Sequence, residues 1–440
     1  MRAAGGSSGP RLAVVTLGCK VNQCESAFFL QEAVAAGWQA AAPETAEVVV
    51  VNSCTVTSRA DRQVRQLLRQ LGRRQPPPRL VVTGCYAQRA PGELAGFPGV
   101  QAVLGNAVKA AWPELLRRLA EGAAPWQQVP EMSACRHFQP LPLADFPDHA
   151  RAFVKIQDGC DQHCAYCIVP QVRGPERSLP ADQVLAQLRV LVQQGFREVV
   201  LTGINLSRWG REAGASLAAL CRRLKEAAWP LRLRLSSLEP VDLTPSLLAV
   251  LADWPAFCPH FHIPLQSGSD EVLRAMGRPY RAAWFVELVY ELARRFPTAA
   301  IGLDVMVGFP TETTAAYEQT RELVARLPLA YLHVFPYSPR PGTPAARLPA
   351  AASPGEVARW ARDLRALAAE KKRAFYQRQV GKVVAVLAEG EAAGQPGWLT
   401  GLTDNYVRVL WPGAPTAAKQ VVQVRLESWA GGRLRGTPCP

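Results

Sequence analysis

The sequence predicts an α/β protein in three parts. These are an open α/β domain over residues 10–120, a partial (β/α)6 barrel over 146–376, and a small β-barrel over 377–438. Three observations predict it. Short β-branched runs alternate with helical segments from the start, a second such series begins near Arg151, and past Val380 the pattern changes to short alternating strands punctuated by Gly and Pro. At 440 residues the chain is long enough for two or three cores.

In the first part, Leu12–Thr16, Val48–Val51 and Leu80–Val82 are apolar runs bounded by turn formers, as buried parallel strands are. Helical segments over Ser26–Ala36 and Ser58–Arg74 separate them. Each strand runs into a cysteine: Gly18-Cys19, Ser53-Cys54 and Gly84-Cys85. Ligands gather at the carboxyl ends of strands in such sheets, so the three thiols are expected to converge. Residues 121–145 carry Pro125, Pro130, Pro140 and Pro142 with little periodicity and read as a linker.

The second series offers strands at Phe153–Gln157, Glu198–Thr202, Leu231–Ser236, Pro259–Ile263, Gly302–Val307 and Tyr331–Phe335. Helices such as Asp182–Gln194 and Trp284–Arg295 lie between them. Six βα units make an incomplete barrel whose open side admits a large substrate. A basic helix over Pro354–Gln379 follows, and then strands at Val383–Leu387, Tyr406–Leu410 and Val421–Leu426, suggesting a barrel of the OB kind.

Composition narrows the function classes. Hydrophobic content of 48% and charged content of 20% are globular, and no apolar run is long enough to span a bilayer. Met1–Pro10 is small and polar, reading as a tail rather than a signal peptide, so the expected location is cytoplasmic. Eleven cysteines in such a chain argue for metal or redox use rather than a disulfide framework. Lys and Arg number 50 against 36 acids, a net charge of +14 that suits either a phosphate-rich partner or an indifferent basic surface.

The densest chemistry lies in Gly159-Cys160-Asp161-Gln162-His163-Cys164-Ala165-Tyr166-Cys167. Three close thiolates suit an iron–sulfur cluster with one iron left open. Zinc with His163 as fourth ligand is the alternative. Tyr166 just before the last cysteine, and the sequence that follows, favour the cluster. The run resembles the radical S-adenosylmethionine (SAM) superfamily, which implies that the open iron chelates SAM and that the reduced cluster cleaves it.

The whole chain from Thr16 to about Arg425 resembles the methylthiotransferases of that superfamily, in their domain order with a carboxy-terminal TRAM domain. The resemblance rests on Thr16-Leu17-Gly18-Cys19-Lys20-Val21-Asn22-Gln23, Asn52-Ser53-Cys54-Thr55-Val56-Thr57 and Thr83-Gly84-Cys85-Tyr86. It rests also on Arg173-Gly174, Leu201–Asn205, His262–Gly268 and Asp304–Pro310. It implies that Cys160, Cys164 and Cys167 hold one 4Fe–4S cluster, and Cys19, Cys54 and Cys85 a second that presents sulfur. It also makes Tyr166, Gly203, Glu239, Gln266 and Ser267 candidates for SAM contacts. No conventional catalytic acid or base is expected beyond the cluster ligands, because a radical, not a base, removes the inert hydrogen.

Cys19-Lys20-Val21-Asn22 is most like the subclass acting on N6-threonylcarbamoyladenosine (t6A) beside the tRNA anticodon; the isopentenyladenosine subclass usually reads Cys-Gln-Met-Asn there. The same chemistry on isopentenyladenosine or on an aspartate of ribosomal protein S12 is the near alternative, and a non-catalytic zinc RNA-binding protein the distant one. The implied partners are the tRNA anticodon stem-loop, a flavodoxin- or ferredoxin-like electron donor and a sulfur donor, around a monomer. Cys24 departs from relatives and raises the question of alternative ligation, while Cys135, Cys221, Cys258 and Cys439 match no motif.

RNA contacts have their own signal. Arg59, Arg62, Arg65, Arg69 and Arg73 recur at steps of three or four, opposite Val64, Leu67, Leu68 and Leu71. Such a one-sign stripe repels itself unless a polyanion is present. At the carboxy-terminal end, Lys382, Arg408 and Arg425 stand among Trp398, Tyr406, Trp411 and Trp429, a mixture that suits looped RNA, although most of these tryptophans are expected to fill a small core.

Overall fold

The computed structural model describes residues 9–146, 149–414 and 419–439. The tail expected over Met1–Pro10 therefore lies outside the described residues, apart from Gly9 and Pro10. The first part is a six-stranded parallel sheet of β1 (Arg11–Thr16), β2 (Gln39–Ala40), β3 (Val48–Ser53), β4 (Arg79–Gly84), β5 (Val100–Leu104) and β6 (Trp126–Gln128), in the order β2-β1-β3-β4-β5-β6.

Every residue of β3 is buried because both faces are covered. Val48 and Val50 face Phe28, Phe29 and Trp112, while Val49 and Val51 face Val64, Leu68 and Leu71. The two helices that supply these faces are Lys20–Ala35 and Ser58–Gly72. The first begins six residues earlier than its apolar pattern suggests, directly after Cys19. Part of the expected linker is strand: Trp126–Gln128 pairs with Ala102–Leu104, and the Arg118 guanidinium lies 4.3 Å over the Trp126 ring.

The barrel strands are β7 (Ala152–Lys155), β10 (Glu198–Thr202), β11 (Arg232–Leu235), β12 (His260–Gln266), β13 (Ala300–Val307) and β14 (Tyr331–Pro336). They form two parallel sheets, β7-β10-β11 and β12-β13-β14, joined by a single bridge between Leu233 and Phe257. A short antiparallel pair, β8 (Gln157–Asp158) and β9 (Arg177–Ser178), brackets the three-cysteine loop. Helix Lys20–Ala35 packs on β7, which brings the first part alongside the open edge of the barrel.

The last part is a closed five-stranded barrel of β15 (Val383–Glu391), β16 (Trp398–Thr403), β17 (Arg408–Pro412), β18 (Val421–Ala430) and β19 (Arg433–Pro438). Two of these strands, β16 and β19, carry no clear alternation in the sequence. A Cβ at Gly401 would come 2.2 Å from the Leu387 carbonyl oxygen, so glycine there permits β15 and β16 to approach. Of the tryptophans expected in this core, Trp411 alone is fully buried; Trp398 and Trp429 lie half-buried under Arg435 and Arg373. This barrel docks at the amino-terminal ends of the larger barrel's strands, where Arg232 and Arg234 donate to the carbonyls of Ala385, Leu402, Thr403 and Asp404.

Candidate active site

Cys19 caps helix Lys20–Ala35, Cys54 follows β3, and Cys85 opens the short helix Cys85–Arg89 after β4. The glycines before two of them are conformational requirements. Gly18 has φ +126° and lies so close to Cys54 that a Cβ would sit 2.9 Å from Cys54 Cβ. Gly84 has φ +95°, and a Cβ there would meet the Ser53 carbonyl at 2.3 Å. The three thiols converge as expected. Asn22 Oδ1 accepts from Cys19 Sγ at 3.6 Å and from Arg173 Nη2 at 2.7 Å, and Arg173 Nε donates to Cys85 Sγ at 3.2 Å.

Beneath these thiols is a buried ionic cluster that sequence reasoning missed. Arg173 Nη1 pairs with Glu25 at 2.5 Å and with Asp158 at 3.4 Å. Lys109 pairs with Glu25, Lys155 with both carboxylates, and Arg177 with Asp158. Four cations face two carboxylates, an excess of positive charge that favours thiolates above it. Burial works the other way and pushes the free Cys54 thiol up to about 12. Thiol deprotonation here is therefore coupled to metal binding. Cys24 turns away into the core beside Phe28 and Phe29, so it adds no ligand to this set.

The second triad follows β8. Gly159, at φ +75°, turns the chain into Cys160, and Asn205 Nδ2 donates to Cys160 Sγ at 3.8 Å. Arg278 Nη1 donates to Cys164 Sγ at 3.4 Å, and its other amino group is held by Glu239. Burial pushes Cys160 up to about 11 and Cys167 up to about 12. Each triad thus has its own buried arginine, anchored by a glutamate and donating to a thiol. Arg278 carries no sequence signal, being 114 residues from its thiol.

Among the described residues, only His262, Asp304 and His333 place ligand atoms of three His, Cys, Asp or Glu groups within 4.8 Å of one another. Both cysteine triads are spread wider than the roughly 4 Å sulfur–sulfur spacing that 2.3 Å bonds to one tetrahedral zinc impose. In neither triad do all three sulfurs lie within 4.8 Å of one another, a spread that suits ligands to the separate irons of one cluster better than ligands to a single zinc.

Among the SAM-contact candidates, Tyr166 meets Phe309 edge to face at 6.5 Å. Gly203 packs against Gln157, where a Cβ would come within 2.8 Å. Glu239 is engaged with Arg278. Gln266 ends β12 at φ +69°, with its Oε1 buried and without a partner among the described residues, so it keeps an acceptor for a ligand. Ser267 is turned away, its hydroxyl shared with Thr320 at 3.2 Å.

A cavity of about 930 Å³ runs from Cys19 through the barrel interior to the carboxy-terminal barrel. Lys20, Lys372, Arg408 and Arg433 line it together with His260, His262 and His333, and among the described residues no Asp or Glu does. Asp304 sits behind two of the imidazoles, accepting from His262 Nε2 at 2.8 Å and lying 3.1 Å from His333 Nδ1. Burial opposes its charge, but the two histidines outweigh burial and hold its carboxyl down at about 2.

The arginine stripe is four-fifths as expected. Arg59, Arg62, Arg69 and Arg73 are exposed, whereas Arg65 donates to the Tyr86 hydroxyl at 2.6 Å and pairs with Glu93. Lys382 and Arg425 are exposed, and Arg408 pairs with Glu389 at 2.8 Å.

The partial barrel and its three-cysteine loop have the architecture of a radical SAM enzyme, and comparisons with known proteins agree. A model of the radical SAM superfamily matches residues 154–324, and one of the uncharacterized protein family UPF0004 matches residues 11–105. A solved structure of the radical SAM methyltransferase TsrM from Kitasatospora setae shares the fold, with TM-score 0.57, 15% identity and 77% of each chain covered. The threonylcarbamoyladenosine tRNA methylthiotransferase MtaB of Aquifex aeolicus is 34% identical over 412 residues, covering 93% of this chain and 99% of that protein. The tRNA-2-methylthio-N(6)-dimethylallyladenosine synthase of Thermus thermophilus is 34% identical over 430 residues, covering 95% and 89%.

The chain belongs to the radical SAM methylthiotransferase family and is a tRNA-modifying enzyme. Its cofactors are SAM and two 4Fe–4S clusters. No helix among the described residues is long and apolar enough to cross a membrane.

Proposed function

We propose that this enzyme methylthiolates C2 of t6A in tRNA, giving the 2-methylthio derivative. Cys160, Cys164 and Cys167 hold the cluster that binds SAM, and Cys19, Cys54 and Cys85 hold the one that presents sulfur. When bound, these groups supply the carbon radical and the methylthio group. The chain itself binds, orients and excludes water. Arg278 and Arg173 steady the two cysteine loops by donating to Cys164 and Cys85, and the Gln266 carbonyl awaits a donor from SAM.

The observation that carries the substrate reading is the cavity beside Cys19. Four cations and, among the described residues, no carboxylate line it, which suits the anionic threonyl group of t6A. A dimethylallyl group would leave Lys20, Lys372 and Arg433 facing an apolar ligand, whereas Arg408 keeps Glu389. The exposed arginines of helix Ser58–Gly72 supply contacts to anticodon-stem phosphates. Lys382 and Arg425, exposed on the TRAM barrel, add further phosphate contacts. A flavodoxin- or ferredoxin-like electron donor and a sulfur donor serve a monomeric enzyme in the cytoplasm.

Mass spectrometry of tRNA nucleosides from a strain lacking the gene tests the reading. The 2-methylthio-t6A peak should vanish and t6A accumulate, and restoring the gene should reverse both. Loss of the 2-methylthio-isopentenyladenosine peak instead would overturn the substrate choice.

A further inference from the structure

Lys20 occupies a position that local physics disfavours twice. It is the first residue of helix Lys20–Ala35, where the helix dipole presents positive charge and a cation is unfavourable. It also lies in a crowd of cations, with its ammonium 5.9 Å over the Tyr406 ring, a ring that Arg151 and Arg234 approach to 5.4 and 5.0 Å. Those neighbours have carboxylate partners of their own. Arg234 pairs with Glu198, and Arg151 with Glu198 and Glu389. Among the described residues Lys20 pairs with no carboxylate, and it opens onto the cavity beside Cys19.

A half-buried ammonium without a counter-ion is costly unless a ligand completes it. We propose that Lys20 is the counter-charge for a carboxylate on the modified base, and so the residue that separates t6A from adenosines with neutral substituents. This rests on the reading of t6A as the target. The carboxylate then ties the base to the first residue after Cys19, where sulfur is presented. His260 does not compete for the anion, because burial, Arg234 and Lys20 hold it neutral.

Direct binding of the full-length protein tests the assignment without turnover. Three anticodon stem-loops serve as probes, carrying adenosine, t6A, or the t6A analogue with a carboxamide in place of the carboxylate. The wild type should bind the t6A loop about tenfold tighter than the carboxamide loop, the worth of one charge-assisted hydrogen bond. Lys20→Gln and Lys20→Met should erase that difference while leaving binding of the adenosine loop within twofold. Lys20→Arg should keep it, which separates lost charge from lost folding. A wild type blind to the carboxylate would overturn the t6A reading itself. A wild type that discriminates, with both neutral variants discriminating equally well, would overturn Lys20 alone. Equal weakening toward all three loops would make Lys20 a phosphate contact and also overturn the assignment.

Discussion

Arg173 and Arg278 set the stakes at the scale of single residues. Both are buried, both donate to a thiol, and each is held by a glutamate, Glu25 or Glu239. Their surroundings differ in a way that ranks substitutions. Removing Glu25 takes away the carboxylate partner of Lys109 and leaves Arg173, Lys155 and Arg177 sharing Asp158, whereas removing Arg173 leaves Glu25 still paired with two lysines. An uncompensated buried charge costs about 3–5 kcal/mol. Glu25→Gln should therefore lower the denaturation midpoint of the metal-free protein more than Arg173→Gln does, and the reverse order would refute this charge accounting. Cys160, Cys164 and Cys167 were legible because their spacing is local, and Cys19, Cys54 and Cys85 because each follows a valine-rich strand. Arg278, Lys109 and Glu25 were not, since each acts on partners far along the chain and no short pattern marks them.

At the scale of elements, helix Ser58–Gly72 shows what periodicity can and cannot say. Its apolar face, Val64, Leu68 and Leu71, was readable from spacing alone and is buried. The opposite face was readable only as charge, not as freedom, because Arg65 is occupied by Tyr86 and Glu93 from a neighbouring segment. The two kinds of arginine should respond differently. Replacing Arg59, Arg62 and Arg69 with glutamine should remove about three phosphate contacts and flatten the logarithmic salt dependence of tRNA binding by about 2–3. Arg65→Gln should change that slope by less than one and instead loosen the packing of Tyr86. An unchanged slope in the triple variant would remove this helix from the RNA surface. The same limit applies to the strands. Valine-rich β3 and β4 announce themselves, whereas β16 and β19 exist through barrel closure, which is settled by partners rather than by their own residues.

For the whole molecule, the order of the parts was legible because hydrophobic period changes along the chain, while their mutual placement depends on contacts across more than 150 residues. The latch between the two barrels is the clearest of these. Arg232 and Arg234, at the start of β11, reach carbonyls of β15, β16 and the loop after β16. Both are aimed by Glu198, which is fully buried and accepts from Arg232 at 2.5 Å and Arg234 at 3.0 Å. Burial pushes the Glu198 carboxyl up, but Arg234 and Arg232 outweigh it and hold it below the usual range. A depressed carboxyl stabilises fully above its unfolded value of about 4.3 and loses that contribution only as pH falls through its lower folded value. Docking should therefore be insensitive to pH from 5 to 8 and fail in acid. Glu198→Gln should remove it at every pH. With two arginines left buried without their carboxylate, the expected cost is about 3–5 kcal/mol, whereas breaking the exposed pair Arg117–Glu121 should leave stability nearly unchanged. Hydrogen exchange read over residues 383–412 should then quicken in Glu198→Gln while β3 and β4 keep their protection. Uniform protection across both regions would mean that the carboxy-terminal barrel is held by its apolar contacts and that Glu198 is not the latch.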